Sequence, residues 1–98
     1  MTINVERDFE LVTLGITGRL DTTTAPNLEL FVNELSKDVK ELIFDMSGTE
    51  YISSAGIRVL LSAYKKMNFN QGTMRIEKAN DKVCEVFVMT GLMQLLEG

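Results

Sequence analysis

Asp45-Met46-Ser47-Gly48-Thr49-Glu50-Tyr51-Ile52-Ser53-Ser54-Ala55-Gly56-Ile57-Arg58-Val59-Leu60-Leu61 is the stretch that decides how this chain folds. Just before it, Glu41-Leu42-Ile43-Phe44 is a short unbroken apolar run, the pattern of a central strand covered on both faces and ending at Asp45. Within and beyond it, Ile57, Leu60, Leu61, Tyr64 and Met67 share one face of a helix predicted over 57–67, which Asn68, Asn70 and Gly72 bring to an end. A short loop joins the two, and Ser53-Ser54 stand at the mouth of the helix. In α/β sheets the loops beyond the carboxyl ends of the strands form the usual functional edge. Either serine suits the N-cap, where a hydroxyl accepts from an amide two or three residues on. Free amides and the positive end of the helix dipole also favour an added phosphate there.

Working outward, Ile3 and Val5 alternate with polar residues in a short edge strand over 2–7. Val12, Leu14 and Ile16 alternate with Thr13, Gly15 and Thr17 in a second strand over 11–17, which Gly18 stops. Arg7-Asp8-Phe9-Glu10 suits a hairpin between them. A helix is predicted over 25–37: Thr24 offers an N-cap hydroxyl, and Pro26 falls in the first turn, where its missing N–H is harmless. Leu28, Phe31, Val32, Leu35 and Val39 make one apolar stripe along it. Thr73 to Glu77 reads as a strand, and Asn80 caps a third helix with the face Val83, Val86, Phe87 and Thr90. Gly91 sits where a helix C-terminus accepts a left-handed residue, with Leu92 able to fold back. The tail Met93 to Gly98 is too short to assign. The expected order is β-β-α-β-α-β-α, an α/β fold with a mixed sheet, an N-terminal hairpin and helices packed on it. Val12, Leu14, Phe31, Leu35, Ile43, Leu60, Leu61 and Phe87 are expected to be buried. No linker or repeat interrupts the chain, so residues 1–98 are expected to form one domain.

Composition narrows the chemistry. With 98 residues, 45% apolar and 24% charged, the chain is an ordinary globular domain. It has no histidine and one cysteine, Cys84, so the commonest general base is missing and no thiolate zinc site can be assembled. Neither GxxxxGK[ST] nor GxGxxG occurs. Hence no catalytic, cofactor or metal site is expected, and the chain reads as a non-enzyme. A net charge of −4 and the lack of a basic cluster beyond Lys65-Lys66 argue against nucleic acid. No apolar run approaches the ~18 residues of a membrane span, and MTINVERDFE does not look like a signal peptide. With its one cysteine, the chain is expected to be cytoplasmic.

The quoted stretch resembles the signature of STAS domains, in which an apolar strand, Asp-apolar-Ser, a loop, an aromatic, and Asp-Ser-Ser/Thr-Gly-Leu run into a helix. Gly18-Arg19-Leu20-Asp21 is similar to the family's Gly-x-Leu/Ile-Asp turn, and Thr90-Gly91-Leu92 to its Thr/Ser-Gly-Leu ending. Three matches in the right order imply the STAS-like fold for nearly the whole chain. Within the family the stand-alone members are anti-sigma factor antagonists. Their serine after the Asp is phosphorylated by an ATP-dependent serine kinase that doubles as the anti-sigma factor. The unphosphorylated form binds that partner and frees the sigma factor, and a phosphatase restores it. By position this serine is Ser54; the family's preceding Asp is Ser53 here, and the residue after is Ala55.

The resemblance thus implies phosphorylation at Ser54 and a partner-binding rim of Asp21, Thr22, Ser53, Ser54, Gly56 and Arg58. Each residue has a plainer reading as well. Ser54 or Ser53 serves as helix cap, and Asp21 holds a turn through its side chain. Asp45 ties the loop amides after its strand. Gly56 lets the helix start pack closely, or lets a partner or phosphate approach. Arg58 is a solvated side chain or pairs a phosphate. Cys84 is expected to be inert. The alternative function is a STAS binding subunit or scaffold of a transport or signalling complex that is not phosphorylated.

Overall fold

A computed structural model describes residues 1–92 of the chain. Its elements are β1 (Thr2–Asp8), β2 (Leu11–Leu20), α1 (Ala25–Glu34), β3 (Glu41–Asp45), β4 (Thr49–Ile52), α2 (Ser54–Phe69), β5 (Thr73–Glu77) and α3 (Asp81–Met89). The α/β architecture and the mixed sheet are as the sequence implies, with one added strand, so the order is β-β-α-β-β-α-β-α. The unassigned tail, Met93 to Gly98, lies outside the described residues.

The sheet runs β1-β2-β3-β5. Strand β1 is the edge, antiparallel to β2 through the turn at Phe9-Glu10, whereas β2/β3 and β3/β5 are parallel, as helical crossovers require. The period-two pattern sorts the side chains. Val12, Leu14 and Ile16 of β2, Leu42 and Phe44 of β3, and Met74 and Ile76 of β5 face one core with Leu28 and Val32 of α1, Leu60 and Met67 of α2, and Val83 and Phe87 of α3. Ile43 is also buried, but outside that cluster, in register with Thr13 and Arg75 on the other face. The apolar run of β3 therefore meets the helices with one face only.

Strand β4 is the element the sequence pattern did not reveal. Thr49–Ile52 has two exposed residues between two buried ones and pairs with β2 alone, parallel and beyond the reach of β3. Its anchor is Thr49, buried, whose hydroxyl donates to the Ile16 carbonyl at 2.7 Å and whose own carbonyl accepts from the Asn80 side chain at 3.0 Å. Gly18 does not stop β2, contrary to expectation. With φ of 101° it sits at a bulge, after which the strand continues to Leu20.

Helix α1 ends at Glu34, three residues short of the expected 37. Lys66 of α2 donates to the carbonyls of Val32 and Asn33 at 2.8 and 2.9 Å, so the end of α1 is met from outside the helix, while Val32 also accepts from Leu35 N–H. Leu35 is extended and only half-buried, and Val39 reaches the core from beyond the helix. Phe31, expected inside, is 39% exposed, because the buried line of the ten-residue helix runs through Ala25, Leu28 and Val32. Leu61 is likewise half-buried against the edge of the core. Helix α3 ends as expected: Leu92 N–H bonds Phe87 carbonyl and Gly91 N–H bonds Val88 carbonyl, with Gly91 at φ 77°. The Asn80 side chain caps its start, accepting from Val83 N–H at 2.9 Å.

Thr49→Val keeps the shape of the side chain and removes the bond to Ile16, leaving a buried carbonyl unsatisfied. Urea denaturation should show a loss of ~1–3 kcal/mol with little change in slope. A neutral result would mean that water replaces the hydroxyl.

Candidate functional site

The second half of β2 and the short β4 build the site. Past the Gly18 bulge, Arg19 lies opposite Tyr51 and Leu20 opposite Ile52, and Ser53 N–H continues the ladder by donating to Leu20 carbonyl at 2.9 Å. Asp21 and Ser53 thus leave the sheet side by side, one entering the turn before α1 and the other the first turn of α2. A Cβ on Gly56 would stand 2.8 Å from Leu20 Cγ, 2.9 Å from Ile52 Cγ1 and 3.0 Å from Leu20 carbonyl oxygen. Glycine is therefore what lets α2 begin directly on the strand ends. Gly56 is buried there, beneath the exposed residues of the rim.

The two serines divide their roles. Ser53 is extended, with φ −100° and ψ 175°, and its hydroxyl accepts from Gly56 N–H at 3.4 Å, while its carbonyl accepts from Ile57 N–H at 3.0 Å. It is the N-cap. Ser54 is the first residue of α2, exposed, with no hydrogen bond to its hydroxyl. No acidic residue occupies the first turn of α2, and Arg58, one turn on, is exposed.

Thr24 precedes α1 but does not cap it with its side chain. Its hydroxyl instead donates to Arg19 carbonyl at 2.7 Å and accepts from Asp21 N–H at 2.8 Å. Asp21 is turned into the same loop. Its Oδ1 accepts from the Thr23 hydroxyl at 2.8 Å, Thr23 N–H at 3.1 Å and Thr24 N–H at 3.2 Å. These bonds, led by the Thr23 hydroxyl, hold the carboxyl below the usual aspartate range, against a smaller desolvation effect. Its Oδ2 faces Arg19 Nε at 3.5 Å, and Arg19 Cζ lies 4.5 Å from the centroid of the Tyr51 ring. Asp45 likewise ties its loop, accepting from Ser47 N–H at 3.0 Å, and that bond, aided by Lys78, lowers its pKa.

The fold therefore brings Asp21, Thr22, Ser53, Ser54 and Arg58 to one edge, with Thr22 exposed in the turn before α1. Sequence reasoning missed Arg19 and Tyr51. Each lies inside a quoted motif, and the pairing that joins them exists only once β4 is recognised. Among the described residues no group of three or more carboxylates or thiols converges as a metal site, and no helix is long and apolar enough to cross a membrane.

The profile of the STAS domain family matches residues 2–97. The chain belongs to the STAS domain family. Among curated relatives, this STAS chain is 27% identical over 94 residues to the anti-sigma-B factor antagonist of Listeria monocytogenes, a match spanning 94% of the chain and 82% of the relative. Among solved structures, the STAS fold superposes on the unphosphorylated form of the anti-sigma factor antagonist SpoIIAA with a TM-score of 0.86, at 17% identity, over 98% of the chain and 86% of that protein. The phosphorylated form of the Bacillus cell fate determinant SpoIIAA superposes with a TM-score of 0.80, at 16% identity, over 98% and 89%.

Two substitutions probe this edge of the STAS domain. Gly56→Ala forces a methyl group against a backbone carbonyl and should destabilise by ~1–3 kcal/mol, read from the thermal midpoint. Asp21→Ala should lower stability at neutral pH, and the gap to wild type should close in acid. A carboxyl whose folded pKa is depressed contributes fully above its unfolded value and loses that contribution as pH falls through the folded one. Urea midpoints at neutral pH and below the aspartate range check this; a gap independent of pH would contradict it.

Proposed function

We propose that this chain is an anti-sigma factor antagonist, a binding module switched by phosphorylation of Ser54. Its partner is an anti-sigma factor with serine-kinase activity. The observation that carries the reading is the division of labour between the serines: Ser53 provides the cap, leaving the hydroxyl of Ser54 exposed and unbonded at the first position of α2. The names of the curated relatives support the partner class. Residues Asp21, Thr22, Ser53, Ser54 and Arg58 form the partner-facing rim, with Gly56 as the spacer beneath it. Asp21 acts by shaping the turn and orienting Arg19.

In the switch, the kinase transfers the γ-phosphoryl group of ATP to Ser54 Oγ, which loses its proton, and ADP leaves. A phosphatase adds water and releases inorganic phosphate, restoring the hydroxyl. Phosphate brings about −1.5 to −2 charge at neutral pH. At the start of α2 that charge is favourable by ~0.3–1 kcal/mol, so the fold tolerates it. A partner surface shaped to cover a neutral hydroxyl must instead desolvate a dianion, which weakens association by several kcal/mol. The module works in the cytoplasm, on a protein partner and not on nucleic acid.

Ser54→Ala should bind the unphosphorylated protein's partner normally and never be released by the kinase. Ser54→Asp should bind more weakly than wild type, though less so than the phosphorylated chain, whose loss should be roughly a hundredfold or more in Kd. Thermal midpoints of both variants should stay close to wild type. Wild-type affinity in Ser54→Asp, with mass spectrometry finding phosphate on Ser53 or on neither serine, would defeat the proposal.

A further inference from the structure

We propose that Arg58 is the intramolecular receptor of a phosphate on Ser54, so that modification adds charge to the rim and at the same time withdraws a free guanidinium from it. The inference rests on the reading of Ser54 as the modified residue. Ser54 and Arg58 are four residues apart on α2 and both are exposed. That spacing places their Cβ atoms about 5–6 Å apart on one helix face. Helical side chains lean toward the N-terminus, so the long side chain of Arg58 extends back over the turn that holds Ser54. The order also suits attraction, because an anion N-terminal to a cation at this spacing is the more stabilising arrangement.

Arg58 is uncommitted. Neither an ion pair nor a hydrogen bond engages its side chain. From Ser54 to Phe69, α2 contains no Asp or Glu, so no carboxylate on its own helix competes for it. Two other cations are committed elsewhere. Lys66 is spent on the carbonyls of Val32 and Asn33, and Arg19 is shared between Asp21 and the Tyr51 ring. A guanidinium can meet two phosphate oxygens at once, which an ammonium cannot. In the hydroxyl form Arg58 is thus available to a carboxylate of the partner; in the phosphorylated form it folds back onto its own helix. The rim changes from cationic to closed, in addition to gaining the dianion.

The test installs phosphoserine at position 54 during translation of the full chain, so that no kinase is needed. Folding equilibria of the phosphorylated and hydroxyl forms are then compared for wild type, Arg58→Gln, Arg58→Lys and Arg19→Gln. In wild type at low salt, phosphate should raise the folding equilibrium constant roughly two- to tenfold. That gain should shrink in Arg58→Gln, survive in part in Arg58→Lys, persist in Arg19→Gln and fade in high salt. Because only the phosphate-dependent difference is read, a merely structural effect of the substitutions cancels. An equal gain in wild type and Arg58→Gln would overturn the inference and leave the phosphate to the helix amides, and loss of the gain in Arg19→Gln would make Arg19 the receptor. Failure of any kinase to label Ser54 would instead count against the proposed function, leaving this coupling measurable.

Discussion

Strand β2 serves two parallel partners in succession, β3 along Leu11–Gly15 and β4 along Gly18–Leu20, and the bulge at Gly18 separates them. The candidate site follows from that division. A ten-residue strand outruns the five residues of β3, and the extra length would present bare backbone donors and acceptors at a sheet edge. β4 covers it, and the ladder ends with Ser53 N–H on Leu20 carbonyl. Because the two chains leave the sheet at the same level, the turn before α1 and the start of α2 are forced together. Gly56 then removes the one side chain that would hold them apart.

The same strand end links surface to core. Leu20 and Ile52 are buried beneath the rim, whose exposed members include Arg19, Thr22, Tyr51, Ser54 and Arg58. Thr49 ties β4 back to Ile16, and Asn80 joins it forward to the start of α3 while capping that helix. A displacement of β4 would therefore disturb a buried hydrogen bond and a helix cap together. That coupling ties the rim to the core through hydrogen bonds, which suits the proposed discrimination of a hydroxyl from a phosphate by fit and charge.

Much of this was legible in the residues, for reasons that differ by element. Val12, Leu14 and Ile16 alternate strictly because β2 buries one face, and the stripe of α2 reads cleanly because Ile57, Leu60 and Met67 all meet the core. Two of the three motifs, Gly18–Asp21 and the stretch from Asp45 to Leu61, meet where β2 pairs with β4, while Thr90-Gly91-Leu92 closes the far end of α3. What escaped was set by distant contacts. Thr49–Ile52 reads as loop because its pairing is with a strand some thirty residues earlier, across a bulge that disguises the end of that strand. The apolar period of α1 runs on through Leu35 to Val39, yet the helix stops where Lys66 takes its last carbonyls. Both buried end points, Val32 and Val39, are apolar for tertiary reasons, and periodicity alone joins them into one helix. The Arg19–Tyr51 contact was invisible for the same reason as β4 itself.

Electrostatically, the rim is shaped by what stands at position 53. Serine and aspartate cap a helix about equally well, so the exchange of the family's Asp for Ser53 leaves the start of α2 intact. It does change the charge beside Ser54. An aspartate there would oppose a phosphate on the next residue and would offer Arg58 a carboxylate at the helix mouth. With Ser53 neither effect operates, and Asp21 on the same rim is already held by Thr23, Thr24 and Arg19. The exposed face of α2 is consequently left with a hydroxyl, an uncommitted guanidinium and no acid between them. Serine at position 53 thus keeps the cap at the start of α2 and adds no negative charge beside Ser54, which suits the proposed modification there.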